Sequence, residues 1–344
     1  MAAWLDGRKV CVVLPLVGLL LFCIYNVMLK EPKTKYKKIE FANYDDLLFD
    51  LDVDINNSTQ MWYWSTSQGG AGTKKSNKSL LQRRLPNVII IGVRKGGTRA
   101  LLEFLKIHPK IKACTAEVHF FDNKKNYQLG LDWYRQQMPE SSPGKITIEK
   151  TPAYFVTDEA PERVYKMSRT IKLLVIVRDP TERAISDYVQ VWLKKRGKLP
   201  PFERFITKGK EEKVLRTSIS TVQIGVYVEH LRKWLKYFPI SQLHFVSMEE
   251  LTTNPAKELR AVEKFLNIEP FIKEEHFYIN QTKRFPCFSG YVDGKKKRNS
   301  GCLSESKGRP HPIVRDDIRN LLQDYYRPYN QELYKEVQRD FHWP

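Results

Sequence analysis

VIIIGVRKGGTR, residues Val88 to Arg99, decides the fold: an apolar run breaks into glycines and cations and then enters a helical pattern at Ala100. Val88 to Ile91 are uninterrupted and β-branched, as in a parallel strand covered on both faces, while Ala100-Leu-Leu-Glu-Phe-Leu105 has helix-forming content. Gly96 and Gly97 at the turn allow close backbone approach and unusual φ angles. The free N–H groups at the helix start, with Lys95 and Arg99, favour an anion. Gly92 and Gly97 have the spacing of a Walker A loop, G-x-x-x-x-G-K-[ST], but Thr98-Arg99 replaces Lys-Ser/Thr and the lysine comes earlier, at Lys95. That argues against an ATPase or GTPase and for a phosphorylated ligand handled without a metal. The alternative is a Gly-rich turn serving only packing.

Working outward, apolar runs alternate with helical patterns, the signature of an α/β sheet flanked by helices. Strands are expected at Val88 to Ile91, Ile146 to Glu149, Ile171 to Val177 and Leu243 to Val246. Helices are expected at Thr98 to Ile107, Ala160 to Met167, Arg183 to Leu193, Val226 to Tyr237, Asn254 to Leu266 and Ile313 to Tyr326. In open α/β sheets, ligands gather beyond the carboxyl ends of strands, and four polar clusters fall in such places. The glycine loop is one. The second, Arg178-Asp-Pro-Thr-Glu-Arg-Ala-Ile-Ser186, follows a strand; Arg178 and Ser186 suit a second phosphate, and Asp179-Pro180 reads as turn and cap. The third, Glu117-Val-His-Phe-Phe-Asp122, places a carboxylate beside an imidazole, suited to taking a proton from a hydroxyl because either group can be tuned toward neutral pH. It also has a purely structural reading. Near it, Glu149-Lys150-Thr-Pro-Ala-Tyr154 ends a strand with a cation. The fourth, Ser306-Lys307-Gly308-Arg309-Pro310-His311, can embrace a phosphate or be a solvated basic loop. None of the seven histidines belongs to a metal motif.

Before the expected domain at 86–344, Val10 to Leu29 is a charge-free stretch of twenty residues, long enough to cross a bilayer as a signal anchor. A cleaved signal peptide is the alternative, disfavoured by length and the lack of a small-residue cleavage site. Residues 1–9 are then a cytoplasmic tail, and 30–85, with its Ser/Thr/Asn/Gly clusters, a largely flexible stem. The lysines that follow the span would place the body in the cytosol by charge alone. Glycosylation acceptors at Asn56, Asn57, Asn77 and Asn280 argue for the lumen, as does the chance for Cys287 and Cys302 to close a short loop in an oxidising compartment. The 58 basic against 39 acidic residues, net +19, imply a polyanionic partner. No aromatic-basic motif for nucleic acid is present.

Taken in order, R-K-G-G-T-R-A-L-L, E-V-H-F-F-D, I-E-K-T-P-A-Y, I-V-R-D-P-T-E-R-A-I-S-D-Y and S-K-G-R-P-H-P resemble the Golgi heparan sulfate glucosamine 3-O-sulfotransferases from about Pro86 to Pro344. The resemblance implies one sulfotransferase domain with a central, mostly parallel sheet and a P-loop-like strand-loop-helix. It also implies transfer of the sulfuryl group of 3′-phosphoadenosine 5′-phosphosulfate (PAPS) to the 3-hydroxyl of a glucosamine in heparan sulfate. The enzyme would be a single-pass type II Golgi membrane protein with a lumenal catalytic domain and no metal. Lys95, Gly96, Gly97, Thr98 and Arg99 resemble the phosphosulfate loop, Arg178 and Ser186 the 3′-phosphate site, and Lys307, Gly308, Arg309, Pro310 and His311 the loop over the nucleotide. Glu117 matches the base, supported by His119, with Lys95 at the leaving phosphate. Acceptor contacts are implied at Glu117, Val118, His119, Phe120, Phe121, Asp122, Asn123, Lys150, Thr151, Pro152, Ala153, Gln190 and Val191, and a disulfide between Cys287 and Cys302. The sequence departs from the family at Arg284 and in the basic stretch Lys295 to Arg298. Small residues at Thr115 and Ser304, where relatives carry gating side chains, imply broad acceptor use. The rivals are a sulfotransferase acting on another glycan position and a non-catalytic heparin-binding membrane protein.

Overall fold

The computed structural model describes residues 81–344 apart from 210–213, 283–284, 293–294, 297–300 and 304–310. The expected tail, anchor and stem up to residue 80, Asn56, Asn57, Asn77, Arg284, Ser304 and Lys307 to Pro310 lie outside the described residues, as does part of the Lys295 to Arg298 stretch. Among the described residues no helix is long and apolar enough to cross a membrane.

A five-stranded sheet forms the centre: β1 (Val88–Gly92), β2 (Ile111–Ala113), β3 (Ile146–Lys150), β4 (Lys172–Val177) and β5 (Leu243–Ser247), in the order β2-β3-β1-β4-β5. Every pairing in it is parallel. The β-branched run that opens the domain is the middle strand, with Ile89 to Ile91 fully buried. Alternation divides its side chains between two cores. Val88 and Ile90 join Leu101, Leu102 and Phe104 of α1 (Thr98–Leu105) on one face, while Ile89 and Ile91 join Phe121, Tyr154, Val164 and Trp234 on the other.

Flanking helices are α2 (Ala160–Met167), α3 (Pro180–Lys194), α4 (Tyr227–Leu235), α5 (Met248–Thr253), α6 (Pro255–Leu266) and α7 (Asp316–Val337). The entry to α3 is local chemistry: Asp179 accepts the Thr181 N–H at 2.8 Å and Pro180 fills the first helical position. Two expectations fall short. Strand β2 escaped notice because it is three residues long and only Ile111 of them is buried. Helix α7 does not stop at Tyr326 but runs through Pro328, because Tyr326, Asn330 and Leu333 are all buried against the body. That packing outweighs the lost backbone bond. Small antiparallel pairs lie apart from the sheet, among them the hairpin of β6 (Phe277–Asn280) and β7 (Phe285–Phe288).

Candidate active site

The chain leaves β1 toward β2 on one side and leaves β4 toward β5 on the other, so the sheet order reverses between the carboxyl ends of β1 and β4. A ligand crevice belongs at such a point. A cavity of about 590 Å³ lies there, walled by Lys95, Glu117, Lys150, Arg178, Ser186 and Gln190.

The loop into α1 is shaped for close approach. Lys95 and Gly97 take positive φ values of 67° and 105°. A β-carbon on Gly96 would lie 2.5 Å from the Ile176 carbonyl oxygen, and one on Gly97 would overlap the Met248 sulfur, so both sites admit only glycine without rearrangement. Gly97 caps α1, whose first N–H groups therefore open into the cavity wall formed by Gly97, Thr98 and Arg99. Lys95 donates to the Gln190 side chain on α3 at 3.0 Å, which brings the loop and α3 into one wall. Arg99 reaches the Thr115 carbonyl at 2.8 Å.

Behind the loop stands a network that sequence reading missed. Asp187 accepts from Arg94 Nε and Nη2 at 2.9 and 2.6 Å and from Arg183 Nη1 at 3.3 Å, with both Arg183 and Asp187 wholly buried. Burial pushes the Asp187 carboxyl up, but the Arg94 and Arg183 guanidiniums outweigh it and hold the group below the usual carboxylate range. At the Arg178 end, Glu182 is a second unforeseen residue, ion-paired with Arg319 and near His311 (3.5 Å) and Arg178 (3.8 Å).

At the other end, Glu117 is paired with Lys150 through one carboxylate oxygen and lies 3.7 Å from His119 Nε2 through the other. Asp122 takes the opposite ring nitrogen of His119 at 2.6 Å. Burial raises the Glu117 pKa, but His119 and Lys150 override it and hold it at about 2. Burial works against charge on His119, yet Asp122 and Glu117 lift its pKa to about 10. Neither group is tuned toward neutrality, because they pair with each other and with Lys150 and Asp122.

The remaining expected residues divide. Pro152 and His311 line the cavity. Val118, Phe120 and Phe121 turn inward, with Phe120 stacked on Tyr134 at 4.5 Å between centroids, so their side chains belong to the core and not to the cavity wall. Thr151 is buried, Ala153 sits in a single 3₁₀ turn, Asn123 caps the helix Lys124–Gln128, and Val191 is buried on α3. Asn280 ends β6, opposite Phe285. Cys287 and Cys302 form a disulfide, and Phe285, Cys302 and Leu303 close the cavity beside Met248, Glu249 and Thr252. The last three were missed, although their place just past a strand end is the cue that identified the other clusters.

A sulfotransferase domain family model matches residues 85–338. Mouse heparan sulfate glucosamine 3-O-sulfotransferase 3B1 is 49% identical over 277 residues, 80% of this chain and 66% of that protein. The mouse 3A1 enzyme is 50% identical over 264 residues, 76% of this chain and 65% of its own length. The chain thus spans just under two thirds of these two relatives. Human heparan sulfate glucosamine 3-O-sulfotransferase 5 is 46% identical over 279 residues, 80% of this chain and 79% of that one. Among solved structures, a sulfotransferase from Alicyclobacillus acidocaldarius superposes with a TM-score of 0.54 at 19% identity, over 75% of this chain and 98% of that one, a likeness of fold.

Proposed function

The chain belongs to the sulfotransferase domain family, among the heparan sulfate glucosamine 3-O-sulfotransferases, and from that premise we propose that it transfers the sulfuryl group of PAPS to the 3-hydroxyl of glucosamine in heparan sulfate. The observation that carries the reading is the meeting of Lys95, Glu117, Lys150 and Gln190 in one cavity whose far end holds Arg178 and Ser186.

The residues present fit the nucleotide. Two glycines that bring backbone close, a helix start and the Lys95 ammonium suit the 5′-phosphosulfate. Arg178 and Ser186 suit the 3′-phosphate, with Glu182, itself paired to Arg319, beside Arg178. Met248, Phe285 and Leu303 offer an apolar surface for the base. His311 reaches this end directly, and Lys307 to Pro310 precede it in sequence.

In the reaction, the glucosamine 3-oxygen forms a bond to sulfur as the bond from sulfur to the phosphate oxygen breaks. Glu117 takes the hydroxyl proton, and Lys95 neutralises charge on the departing phosphate oxygen. Ionisation of Glu117 far below neutrality leaves it free of a proton at working pH. A weak base suffices, because the attacking hydroxyl grows acidic as its bond to sulfur forms. His119, charged between two carboxylates, fixes the Glu117 side chain, and Lys150 stands beside it as the cation nearest the acceptor hydroxyl's attack. The net charge of +19 matches a polyanionic chain, whose binding will weaken with salt through counterion release. The rest of the assignment is a type II Golgi anchor at 10–29, a stem to residue 85, a lumenal domain, glycans at the Asn acceptors and broad acceptor use through small residues at Thr115 and Ser304.

The test is Glu117→Gln, assayed with PAPS and heparan sulfate followed by disaccharide analysis. Turnover should fall about 10²- to 10⁴-fold while binding of adenosine 3′,5′-bisphosphate persists. Near-normal turnover would overturn the base assignment.

A further inference from the structure

Residues 115–122, which carry Glu117 and His119, lie outside every helix and strand. Three successive backbone amides there are nonetheless taken up, and each by a side chain. Val118 N–H donates to Glu149 Oε1 at 3.5 Å, His119 N–H to the Thr151 hydroxyl at 3.4 Å, and Phe120 N–H to the Tyr154 hydroxyl at 2.9 Å. Asn126 donates from its amide to the carbonyls of both Val118 and His119 at 3.1 Å. The loop is held in a cage of side chains, and His119 keeps a left-handed φ of 51° inside it.

Glu149 stands at the base of that cage. It is fully buried in β3, the strand that also carries Lys150 at its end. Its carboxylate accepts from the Thr151 hydroxyl at 2.5 Å and from the Tyr134 hydroxyl at 3.2 Å, as well as from Val118. Thr151 is thus bonded on one side to Glu149 and on the other to the His119 amide. Nothing in strand formation asks for a carboxylate at this position; its strand neighbour Ile148 is an ordinary buried apolar residue. A buried carboxylate is a cost to the fold that an amide would largely avoid.

We propose that Glu149 is a positioning residue: through Thr151 and the Val118 amide, its carboxylate sets the path of the loop that aims Glu117 and His119 at the acceptor hydroxyl. The inference rests on the reading of Glu117 as proton acceptor. Burial pushes the Glu149 pKa up to about 7, against the pull of Thr151, Val118 and Lys150. The other ionisable groups facing it are Tyr134, Tyr154 and Cys114, each itself pushed upward in part by its charge. The loop's anchor therefore gains its charge as pH rises through about 7.

Glu149→Gln keeps the volume and one oxygen to accept from both Thr151 and Val118, which share Oε1, but removes the charge that strengthens those two bonds. At pH 8 its Tm should rise above wild type, because the charge is no longer buried. Its kcat should fall roughly 10- to 100-fold, the penalty of misplacing a reacting group by a fraction of an ångström to an ångström. The KM for PAPS and the affinity for adenosine 3′,5′-bisphosphate should not move; wild-type kcat should rise as pH passes through about 7, and that of the variant should not. Tyr154→Phe, which frees the Phe120 amide and removes the hydroxyl beside Thr151, should likewise lower kcat and leave the KM for PAPS unchanged. A wild-type kcat and pH profile in Glu149→Gln overturns the proposal, as does a loss of Tm and nucleotide affinity in step with kcat, the mark of a merely structural group. Glu117→Gln run alongside separates the two readings. If it turns over normally, the base assignment fails; if it is inactive while Glu149→Gln is fully active, only the positioning inference fails.

Discussion

Replacing Asp187 with asparagine removes one charge from the Arg94–Asp187–Arg183 network without changing its shape, and the consequences can be worked from the geometry. Asp187 and Arg183 are both wholly buried, and the carboxylate receives three guanidinium contacts between 2.6 and 3.3 Å. The amide leaves the Arg183 guanidinium buried without its counter-charge, held by the Thr221 carbonyl and, at 3.5 Å, the Arg94 carbonyl. Breaking a buried pair from one side costs about 3–5 kcal/mol. Against a total stability on the order of 5–15 kcal/mol, this is a large share. For a domain of this size, about 2–4 °C of Tm per kcal/mol turns it into a fall of about 6–20 °C. Arg94 directly precedes Lys95, so loosening it should also weaken adenosine 3′,5′-bisphosphate, by about tenfold if one charge-assisted hydrogen bond's worth of order is lost. Calorimetry gives the Tm and titration calorimetry the affinity. The double variant Arg183→Met with Asp187→Leu separates the two effects, since an apolar replacement of a buried pair is often neutral for stability. It should recover most of the Tm and none of the affinity. A Tm for Asp187→Asn equal to wild type would refute the reasoning, because the network would then hold nothing in place.

Gly96→Ala would place its β-carbon 2.5 Å from the Ile176 carbonyl, which is backbone and cannot swing away. Forcing the loop outward should cost about 1–3 kcal/mol, read as about a 5- to 150-fold weaker nucleotide in titration calorimetry, with acceptor binding unaffected. Glu182 is held at about 2, first by its hydrogen bond to His311 and, against burial, by Arg319 and Arg178. Its folded pKa lies below the ordinary 4.5, so its stabilisation is present above about pH 4.5 and is lost as pH falls from there through about 2. With the side chain 29% exposed, solvent screening leaves about 1–2 kcal/mol. The gap in urea midpoint between wild type and Glu182→Gln should therefore be full at pH 6 and close toward pH 2.

Much of this protein was legible because its signals are local. A β-branched run, two glycines and a displaced lysine occupy adjacent positions, so the strand, the turn and the helix start could be read together at Val88 to Arg99. Asp179-Pro180 reads locally as turn and cap, and the helix it caps begins at Pro180, three residues before the expected Arg183. Local reasoning failed where packing overruled it. Pro328 reads as a stop, yet Asn330 and Leu333 find buried places beyond it and the helix continues. The resemblance placed Phe120 and Phe121 in the acceptor site, but the apolar core holds their side chains.

By itself, then, the sequence determined most of the central elements and the parallel α/β character, since hydrophobic periodicity, caps and glycine freedom act within a few residues. Only the tertiary structure decided which charges share a desolvated space. Arg94 meets Asp187 across 93 positions and Val118 meets Glu149 across 31. Those partners set whether each carboxylate is ionised: Glu117 is driven down to about 2 by His119 of its own loop and Lys150 of β3, and Glu149 up to about 7 by burial. Ionisation depends on the surrounding dielectric and on charges a few ångströms away, and neither quantity exists in a chain until the sheet has brought β1, β3 and the loop of Glu117 together.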